Sequence, residues 1–368
     1  MTELPLLQEK LKQSIDWPAA PINFLANFLV AFLVAKTVTL NQIANAFPGA
    51  AKPASHLQRI ERFLSETRLP NEAFAHAVVA LLNLPRPWVL ALDRTNWQLG
   101  KKEINLLVLA LVHQGVAFPI LWSVLDKKGA SHTDERIALM ERFLALFGKD
   151  AVHFVVADRE FIGKRWFSFL LNSGVSFRIR VKNDTLIADA RGQAQEADGL
   201  FCRKTKNKAH LFKRARFVWG LPVFVGGKHR SDGQTMAIVS DVAGELLEDY
   251  RLRWGIETLF GCLKSRGFNL EATHVTIAGR LSRLLGLLAI AFVWSWRVGA
   301  ARQERAPTPL KKHGRLAVSV FRRGLDSLRR LCYALCGLCG KSRLTVFRKA
   351  VDMLGCCPST ANICLSGT

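Results

Sequence analysis

The succession of strand-like and helix-like segments between residues 88 and 182 is the feature that most restricts the fold of this chain. Short apolar or alternating runs indicate strands, and runs with a 3.6-residue period indicate helices. The order is three strands (88–92, 104–112 and 117–124), a helix for which Thr133 is the candidate N-cap, a strand (152–156), a helix (164–172) and a strand (176–182). This order predicts an α/β domain in which a mixed sheet is flanked by helices.

Two aspartates follow apolar strands of this segment. Asp93 comes directly after W-V-L-A-L, and Asp158 comes directly after the apolar run that begins at Val152. The order of elements is that of a ribonuclease-H-like fold, and the carboxyl ends of strands in an open sheet meet at one crevice. We therefore expect Asp93 and Asp158 to be neighbours in space.

A helix predicted from Gly244 through Lys264 carries four polar side chains on one face. Tyr250, Arg253, Glu257 and Lys264 stand at offsets 0, 3, 7 and 14. At about 100° per residue these offsets fall within an arc of roughly 60°. A carboxylate among two cations and a phenol favours nucleic-acid chemistry. The alternative is a solvated face on which Glu257 forms salt bridges with its neighbours.

The charge of the chain indicates a polyanionic partner. There are 52 Lys and Arg against 29 Asp and Glu, which gives a net charge of +23 and a pI near 10.2. Such a surplus favours nucleic acid, since neither a membrane surface nor an acidic substrate explains a surplus spread over a large folded chain. The polar N-terminus indicates no secretory signal. The apolar segments 22–35 and 284–296 are predicted to be buried helices.

The first eighty residues are predicted to be helical. Thr39 is a candidate N-cap, Pro48-Gly49 ends that helix, and another helix begins near Pro53. Two interpretations remain open, a helix-turn-helix DNA reader and a plain helical hairpin. The outer face of the second helix is predicted to carry His56, Gln58, Arg59 and Arg62, and its inner face Leu57, Ile60, Phe63 and Leu64.

A basic segment separates the predicted ribonuclease-H-like core from the helix that carries Glu257. Between Gly199 and Ser231 there are nine Lys or Arg and no Asp or Glu, and the stretch from Arg214 to Lys228 has the pattern of a hairpin. Its aromatic side chains, Phe217, Trp219 and Phe224, favour a nucleic-acid surface, because rings stack on unpaired bases while cations follow phosphates. The alternative is a solvated basic loop.

The C-terminal region is basic and rich in cysteine. Residues 301–350 carry thirteen Lys or Arg against two acids, in amphipathic stretches that could clamp a duplex or a partner or could be solvated helix backs. Cys336 and Cys339 form a C-x-x-C, but no second pair follows, and the later cysteines are Cys356, Cys357 and Cys364. Free thiols in a reducing cytoplasm are therefore favoured over a zinc site.

Asp93, Asp158 and Glu257 are the candidate catalytic residues. Three acids aimed at one point repel each other unless cations neutralise them, and hard oxygen ligands select Mg²⁺ or Mn²⁺. Two such ions can activate an attacking oxygen and stabilise a leaving one in phosphodiester displacement.

The chain resembles the cut-and-paste DDE transposases of bacterial insertion sequences. The resemblance rests on the spacing of Tyr250, Arg253, Glu257 and Lys264, and on the blocks A-L-D-R-T-N-W around Asp93 and V-A-D-R-E-F around Asp158. It covers roughly residues 20–300, and it implies a ribonuclease-H-like core interrupted by a mostly β insertion at about 183–240.

The resemblance implies roles for these residues. Asp93, Asp158 and Glu257 would bind two catalytic Mg²⁺ ions, with Mn²⁺ as a substitute. Tyr250, Arg253 and Lys264 would grip the phosphates of the transposon end. In some relatives a Trp of the insertion stacks on a flipped base during a hairpin step, for which Trp219 is the candidate and Phe217 or Phe224 the alternatives. Arg59 and Arg62 are the candidates for DNA contact in the N-terminal region.

The implied activity is cleavage of the element ends followed by joining of the 3′-OH ends to target DNA. The expected partners are double-stranded DNA and a second copy of the chain, with no membrane, in the cytoplasm at the nucleoid. The expected regions are a helical DNA-binding region (1–82), a catalytic domain (83–300) and a basic helical C-terminal region (301–368). The alternatives are a ribonuclease-H-like nuclease without strand transfer and a DNA-binding regulator that has lost transposition.

Overall fold

The computed structural model describes residues 3–312, 314–333 and 342–354. The helices are α1 (Glu3–Ser14), α2 (Ala19–Ala35), α3 (Leu40–Asn45), α4 (Pro53–Glu66), α5 (Asn71–Leu82), α6 (Thr133–Phe147), α7 (Lys164–Asn172), α8 (Ala197–Phe201), α9 (Leu246–Arg251), α10 (Trp254–Leu263), α11 (Ala278–Arg305), α12 (Val320–Tyr333) and α13 (Ser342–Asp352). The strands are β1 (Trp88–Leu99), β2 (Lys102–His113), β3 (Val116–Leu125), β4 (Val152–Ala157), β5 (Phe177–Val181), β6 (Leu186–Ala188), β7 (Ala194–Glu196), β8 (His210–Leu211), β9 (Arg216–Val218), β10 (Leu221–His229) and β11 (Thr235–Ser240).

The chain forms two compact units. A helical unit is drawn from the described parts of Met1–Leu84, Trp97–Ile104 and Phe260–Thr368, and an α/β unit from Pro85–Asn96 and Asn105–Leu259. This division differs from the three expected regions, 1–82, 83–300 and 301–368. The first boundary is close to the expected one, but the N-terminal and C-terminal helices belong to one unit, because their apolar faces pack on each other.

The α/β unit has the sheet of a ribonuclease-H-like fold. The strand order begins β3-β2-β1-β4-β5. β2 and β3 are antiparallel, whereas β1 pairs with β4 and β4 with β5 in parallel. Helix α6 connects β3 to β4, helix α7 connects β4 to β5, and both bury apolar faces. The predicted mixed sheet flanked by helices is therefore confirmed.

Two predicted boundaries in this unit need correction. The strand predicted at Trp88–Leu92 continues to Leu99, because β1 forms a tight hairpin with β2 after its pairing with β4 has ended. Helix α6 begins at Thr133, but its N-cap is His132, whose backbone N–H donates to Glu135 at 2.6 Å. The side chain of Glu135, three positions after His132, caps the start of the helix, and this explains why the N-cap lies one residue before the predicted one.

The predicted β insertion extends the main sheet. β11 pairs antiparallel with β5, and the order continues β11-β10-β9-β6-β7, with β8 also on β10. The predicted basic hairpin is formed by β9 and β10, whose turn is Trp219-Gly220. Both turn residues have positive φ, +52° and +80°, as a tight hairpin turn requires.

Helix α11 is the core of the helical unit. Almost all its side chains from Leu281 to Gly299 are buried, against α12, α5 and α4. In the described part of the chain it is the one helix long and apolar enough to cross a membrane, but 89% of its most apolar window is buried inside the protein. The prediction of a buried helix here agrees with this packing. Gly299 and Gly324 allow α11 and α12 to touch, since a Cβ at either position would overlap the facing backbone.

The N-terminal helices depart from the predicted outer face. Helix α3 starts after Thr39 as predicted, and Ile60 of α4 is buried. His56, predicted to be exposed, is buried, and its ring lies 5.2 Å from that of Phe47. The loop that joins α3 to α4 carries Phe47 back over α4, which local periodicity could not indicate. Leu57 is only half-buried.

Three cysteines of the described residues, Cys202, Cys262 and Cys332, are free thiols. Cys336, Cys339, Cys356, Cys357 and Cys364, to which the zinc and thiol alternatives referred, lie outside the described residues. Helix α12 is amphipathic as expected, with Phe321, Leu325 and Leu328 buried on one face.

Candidate active site

The register of β1 and β4 brings Asp93 and Asp158 side by side. The parallel pairing ends at Leu92 and Ala157, which are direct partners, and each aspartate is the next residue along the chain. Each carboxylate accepts a hydrogen bond from the following backbone N–H, at 2.7 Å from Arg94 and 2.8 Å from Arg159. The two aspartates thus occupy equivalent places, although Asp93 lies inside a strand and Asp158 at a strand end.

The helix predicted to run through Lys264 is broken. Tyr250 lies in α9, Arg253 lies in a turn, and Glu257 lies in α10. Turn-type hydrogen bonds mark the break, from the N–H of Arg253 to Tyr250 and from that of Ile256 to Arg253. The start of α10 lies so close to the β2–β3 hairpin that a Cβ on Gly255 would meet backbone atoms at 3.2 Å. This contact joins segments that are distant in sequence. Because the helix is interrupted at Arg253, the four side chains do not share one helix face, and the predicted single polar stripe is wrong.

The three predicted acids nevertheless meet around Arg253 and Tyr250. Arg253 Nη1 donates to Asp93 Oδ2 at 3.1 Å, and its Nη2 donates to Glu257 Oε1 at 2.5 Å. The hydroxyl of Tyr250 donates to Asp158 Oδ1 at 3.0 Å. Arg253 is 8% exposed, and its Nε has no hydrogen-bond partner among the described residues. One guanidinium and one phenol therefore link carboxylates from β1, β4 and α10.

Burial perturbs the protonation of this cluster. It raises the pKa of Asp93 from 3.8 to about 6, although the backbone N–H of Arg94 and the charge of Arg253 act in the opposite direction. The negative charges of Asp158 and Glu160 raise it further. The pKa of Tyr250 is also raised, mainly by burial, so its hydroxyl stays a donor at neutral pH. Burial therefore makes the negative charge of Asp93 costly, and an added cation would offset that cost.

A second group of polar residues fixes the side chain of Arg94, whose backbone N–H donates to Asp93. Arg94 Nε donates to Glu160 Oε1 at 2.9 Å, and its Nη1 donates to Asn105 Oδ1 at 3.1 Å. Asn105 is fully buried and donates to the carbonyl oxygens of Lys127 and Gly129, both at 3.0 Å. Sequence reasoning missed Arg94, Glu160 and Asn105 as site residues. The Asp-Arg pair that follows each apolar strand was the available signal.

A basic cavity of about 510 Å³ opens beside Tyr250 and Arg253. The indole of Trp254, 60% exposed, lies at this cavity. The remaining charged lining residues are four cations and one acid, namely Arg180, Lys228, Arg230, Arg251 and Glu248. Arg230 pairs with Asp232 at 3.0 Å and Arg251 with Glu248 at 2.9 Å. The cavity was not predicted, since strands and helices distant in sequence contribute to it.

The other predicted DNA-binding residues lie elsewhere. Trp219 is 37% exposed at the β9–β10 turn, where its ring packs edge-on against Phe167 at 5.3 Å, and it does not line the basic cavity. Phe224 packs on the cluster that contains Tyr250, and Phe217 is half-buried.

Lys264, Arg59 and Arg62 belong to the helical unit. Lys264 follows α10 and pairs with Glu271 at 3.1 Å, and its Nζ lies 5.7 Å from the centroid of a Trp97 ring. Arg59 and Arg62 are exposed on α4, as predicted. Arg62 Nε is 4.0 Å from Glu66, a surface pair of little energetic weight.

The acidic cluster offers hard oxygen donors, the ligand type that Mg²⁺ and Mn²⁺ prefer. In the part of the chain that the structure describes, no group of three or more His, Cys, Asp and Glu is spaced to hold a metal ion. The guanidinium of Arg253 stands between Asp93 and Glu257 and neutralises them. The donor set and the buried carboxylate of Asp93 fit a divalent cation, provided that Arg253 gives up these contacts.

Comparison with known proteins assigns the chain to a family. Among solved structures, the chain is similar to the cryo-EM structure of a piggyBac transposase synaptic complex with hairpin DNA, at 10% identity and a TM-score of 0.44 over 98% of this chain and 82% of that one. A similarity this distant carries no functional argument. No curated protein sequence matches. The family model described as "Transposase DDE domain" matches residues 85–294, which is more than half of the chain and includes all three acids. The chain therefore belongs to the transposase DDE domain family.

Proposed function

We propose that this protein is a Mg²⁺-dependent transposase that binds terminal inverted repeats, cleaves the element ends and joins their 3′-OH groups to target DNA. The first step uses water as the nucleophile and the second uses a DNA hydroxyl. One site serves both steps if the scissile phosphate is repositioned between them. The proposal includes a dimer that holds two ends, in the cytoplasm at the nucleoid.

The observation that carries this proposal is the convergence of Asp93, Asp158 and Glu257 on one cluster. They come from two adjacent parallel strands and a helix that are far apart in sequence. A salt-bridge network needed only for stability does not require three acids around one arginine, since burying such groups is costly. The excess of acid over base at this point is what a cation-binding site needs.

Asp93, Asp158 and Glu257 would hold two Mg²⁺ ions, with Mn²⁺ as a substitute. Such ions supply activation of the attacking oxygen and stabilisation of the leaving oxygen. The raised pKa of Asp93 supports this role, because a carboxylate that burial makes costly to ionise gains most from a neighbouring cation.

Arg253 and Tyr250 would exchange carboxylate partners for DNA phosphates. Both already contact the acids, and both line the basic cavity, so a strand that enters this cavity meets them first. Arg180 and Lys228 would neutralise the phosphates on either side of the scissile one, and Lys264 would position the same end.

The remaining candidate residues do not line the basic cavity. Arg59 and Arg62 would touch the inverted repeat from the exposed face of α4. Trp219 stays the candidate for stacking on a flipped base in a hairpin step, and its partly exposed ring is compatible with that role.

The test is the variant Glu257→Gln, which keeps the size of the side chain and removes its charge. We expect DNA-end binding within about two-fold of the wild type and a loss of strand cleavage of at least about 1,000-fold, the factor that about 4 kcal/mol of transition-state stabilisation gives. The measurement is single-turnover cleavage of an end-labelled duplex that carries the inverted repeat, with Mg²⁺.

The matched control is Glu141→Gln, on the exposed face of α6. It should cleave at the wild-type rate. Normal cleavage by Glu257→Gln would refute the assignment of the acids. Cleaved ends that never become covalently joined to target DNA would favour a nuclease without strand transfer. Absence of metal-dependent cleavage in the wild type on every DNA substrate would favour a DNA-binding regulator.

A further inference from the structure

The loop between α11 and α12 forms a small hairpin rather than a loose connection. Leu310 and Leu316 make a bridge, and the N–H of Lys311 donates to Arg315 at 2.8 Å. The N–H of Gly314 donates to Lys311 at 2.9 Å, and its φ of +76° is one that other residues rarely adopt. We call the described residues of this loop, 306–312 and 314–318, the 306–318 finger.

The base of the 306–318 finger is fixed by a hydrogen-bond network. Arg323 of α12 donates through Nη1 to the carbonyl of Ala306 at 2.6 Å, to Gln303 Oε1 at 2.9 Å and to Thr308 Oγ1 at 3.0 Å. Gln303 Oε1 also accepts from the N–H and hydroxyl of Thr308, at 3.0 and 2.7 Å. A surface loop held in this way is ordered before any partner arrives, which lowers the entropy cost of binding.

The finger presents an apolar side chain among cations. Leu310 is 67% exposed, and Lys311, Lys312 and Arg315 are exposed beside it. No Asp or Glu occurs from residue 306 to residue 319. A protruding leucine flanked only by positive charge suits a partner that offers phosphates on its rim and an apolar slot between them.

Duplex DNA has that combination in its minor groove. The groove is about 6 Å wide, and proteins that use β-ribbons place strands in the major or the minor groove. Proteins that bind there place cations on the phosphates and insert leucine or a similar wedge between base steps, which bends the duplex.

We propose that the 306–318 finger binds the minor groove of duplex DNA, with Leu310 as the wedge and Lys311 and Lys312 on the flanking phosphates, and so bends the DNA. This proposal rests on the proposed function only in taking DNA as the partner. It needs neither the acids nor a metal ion.

The experiment measures bending and affinity in EDTA, where no cleavage occurs. The probe is a mixed-sequence duplex of about 30 base pairs with a fluorophore at each end, so that bending raises energy transfer. The variants are Leu310→Ser and the double variant Lys311→Ala/Lys312→Ala. The control is Lys101→Ala/Lys102→Ala, two exposed adjacent lysines at the β1–β2 turn, which has no exposed leucine.

We expect the wild type to bend the duplex. Leu310→Ser should return energy transfer to the value of the free duplex, with affinity lowered less than about ten-fold, because the lysines still pair with phosphates. Lys311→Ala/Lys312→Ala should reduce the slope of log affinity against log salt by about 2, one unit for each phosphate that no longer pairs with a lysine. The control and the cleavage variant Glu257→Gln should bend as the wild type does.

Several outcomes would overturn the proposal. They are an unbent wild-type complex, or finger variants with wild-type bending and salt dependence. If the finger variants lost binding to vesicles of anionic lipid but kept wild-type DNA binding and bending, the finger would be assigned to a membrane surface instead. Thermal melting confirms that each variant folds, which we expect because the altered side chains are exposed. Failure of Glu257→Gln to lose cleavage would leave these bending results unaffected, so the two proposals fail separately.

Discussion

Replacing Asp93 by asparagine should stabilise the fold, by an amount that depends on pH. Burial raises the pKa of Asp93 from 3.8 to about 6 in the folded protein. Between those two values the unfolded chain releases the proton while the folded protein retains it. The folded state binds more protons, so the stability due to this group falls as pH rises.

The size of this effect follows from the shift. At about 1.4 kcal/mol for each pKa unit, ionised Asp93 costs the fold about 3 kcal/mol once the pH is above 7, and almost nothing at pH 4. The carboxylate is only 16% exposed, so solvent screening reduces the figure little. Asparagine keeps the hydrogen bond from Arg94 and carries no charge, and the ion pair with Arg253 that it gives up is already included in the pKa of about 6. The free energy of unfolding of Asp93→Asn should therefore exceed that of the wild type by about 3 kcal/mol near pH 7.5.

The assay is urea denaturation at about pH 4, about pH 5.5 and about pH 7.5, with EDTA present to remove metal ions. The quantity compared is the difference in unfolding free energy between variant and wild type at each pH. The control is Asp126→Asn, at an exposed aspartate of the α/β unit, which should show no such trend. A difference that does not change with pH, or a variant less stable than the wild type at pH 7.5, would refute the reasoning.

Two further predictions concern a buried ion pair and a close contact between helices. Asp249→Ala should lower stability by about 2 kcal/mol, because it leaves buried Arg178 without the partner at 2.8 Å from its Nε, and unchanged urea midpoints would contradict this. Gly324→Ala should cost about 3 kcal/mol or more, because its Cβ would fall 1.7 Å from the carbonyl oxygen of Ser295 and force α11 and α12 apart. The matched change Gly279→Ala, on the open first turn of α11, should be neutral or stabilising by up to about 1 kcal/mol, and equal melting temperatures for the two variants would contradict the close-contact argument.

The sequence allowed the catalytic sheet and its two aspartates to be predicted because both depend on local patterns. Asp93 and Asp158 each follow a short apolar run, and parallel pairing of those runs is enough to bring the next residues together. The third acid, Glu257, was found from its spacing to Tyr250 and Arg253 rather than from its environment.

What the sequence did not reveal depends on contacts between distant segments. The break before α10 follows from the close approach of Gly255 to the β2–β3 hairpin, which helical periodicity does not encode. Arg253 was expected to face DNA, with a salt bridge to Glu257 as the alternative. That salt bridge is present, but the ion pair of Arg253 with Asp93 joins segments 160 residues apart and could not be inferred from spacing. The joining of the insertion to the main sheet through β5 and β11 is likewise a long-range pairing.

The way the helical unit is closed has a consequence for synthesis of the protein. Arg297 donates to the carbonyl of Leu81, 216 residues earlier, and the hydroxyl of Tyr333 donates to the carbonyl of Val34, 299 residues earlier. At about 5–20 residues per second, a ribosome needs roughly 15–60 s to make the intervening 299 residues. The part of α2 that packs on α12 must wait through this interval, exposed or held by a chaperone, and the α/β unit, which ends at Leu259, is made before the interval is over. The nascent chain therefore has all residues of its acidic cluster before α12 is available to pack on the N-terminal helices.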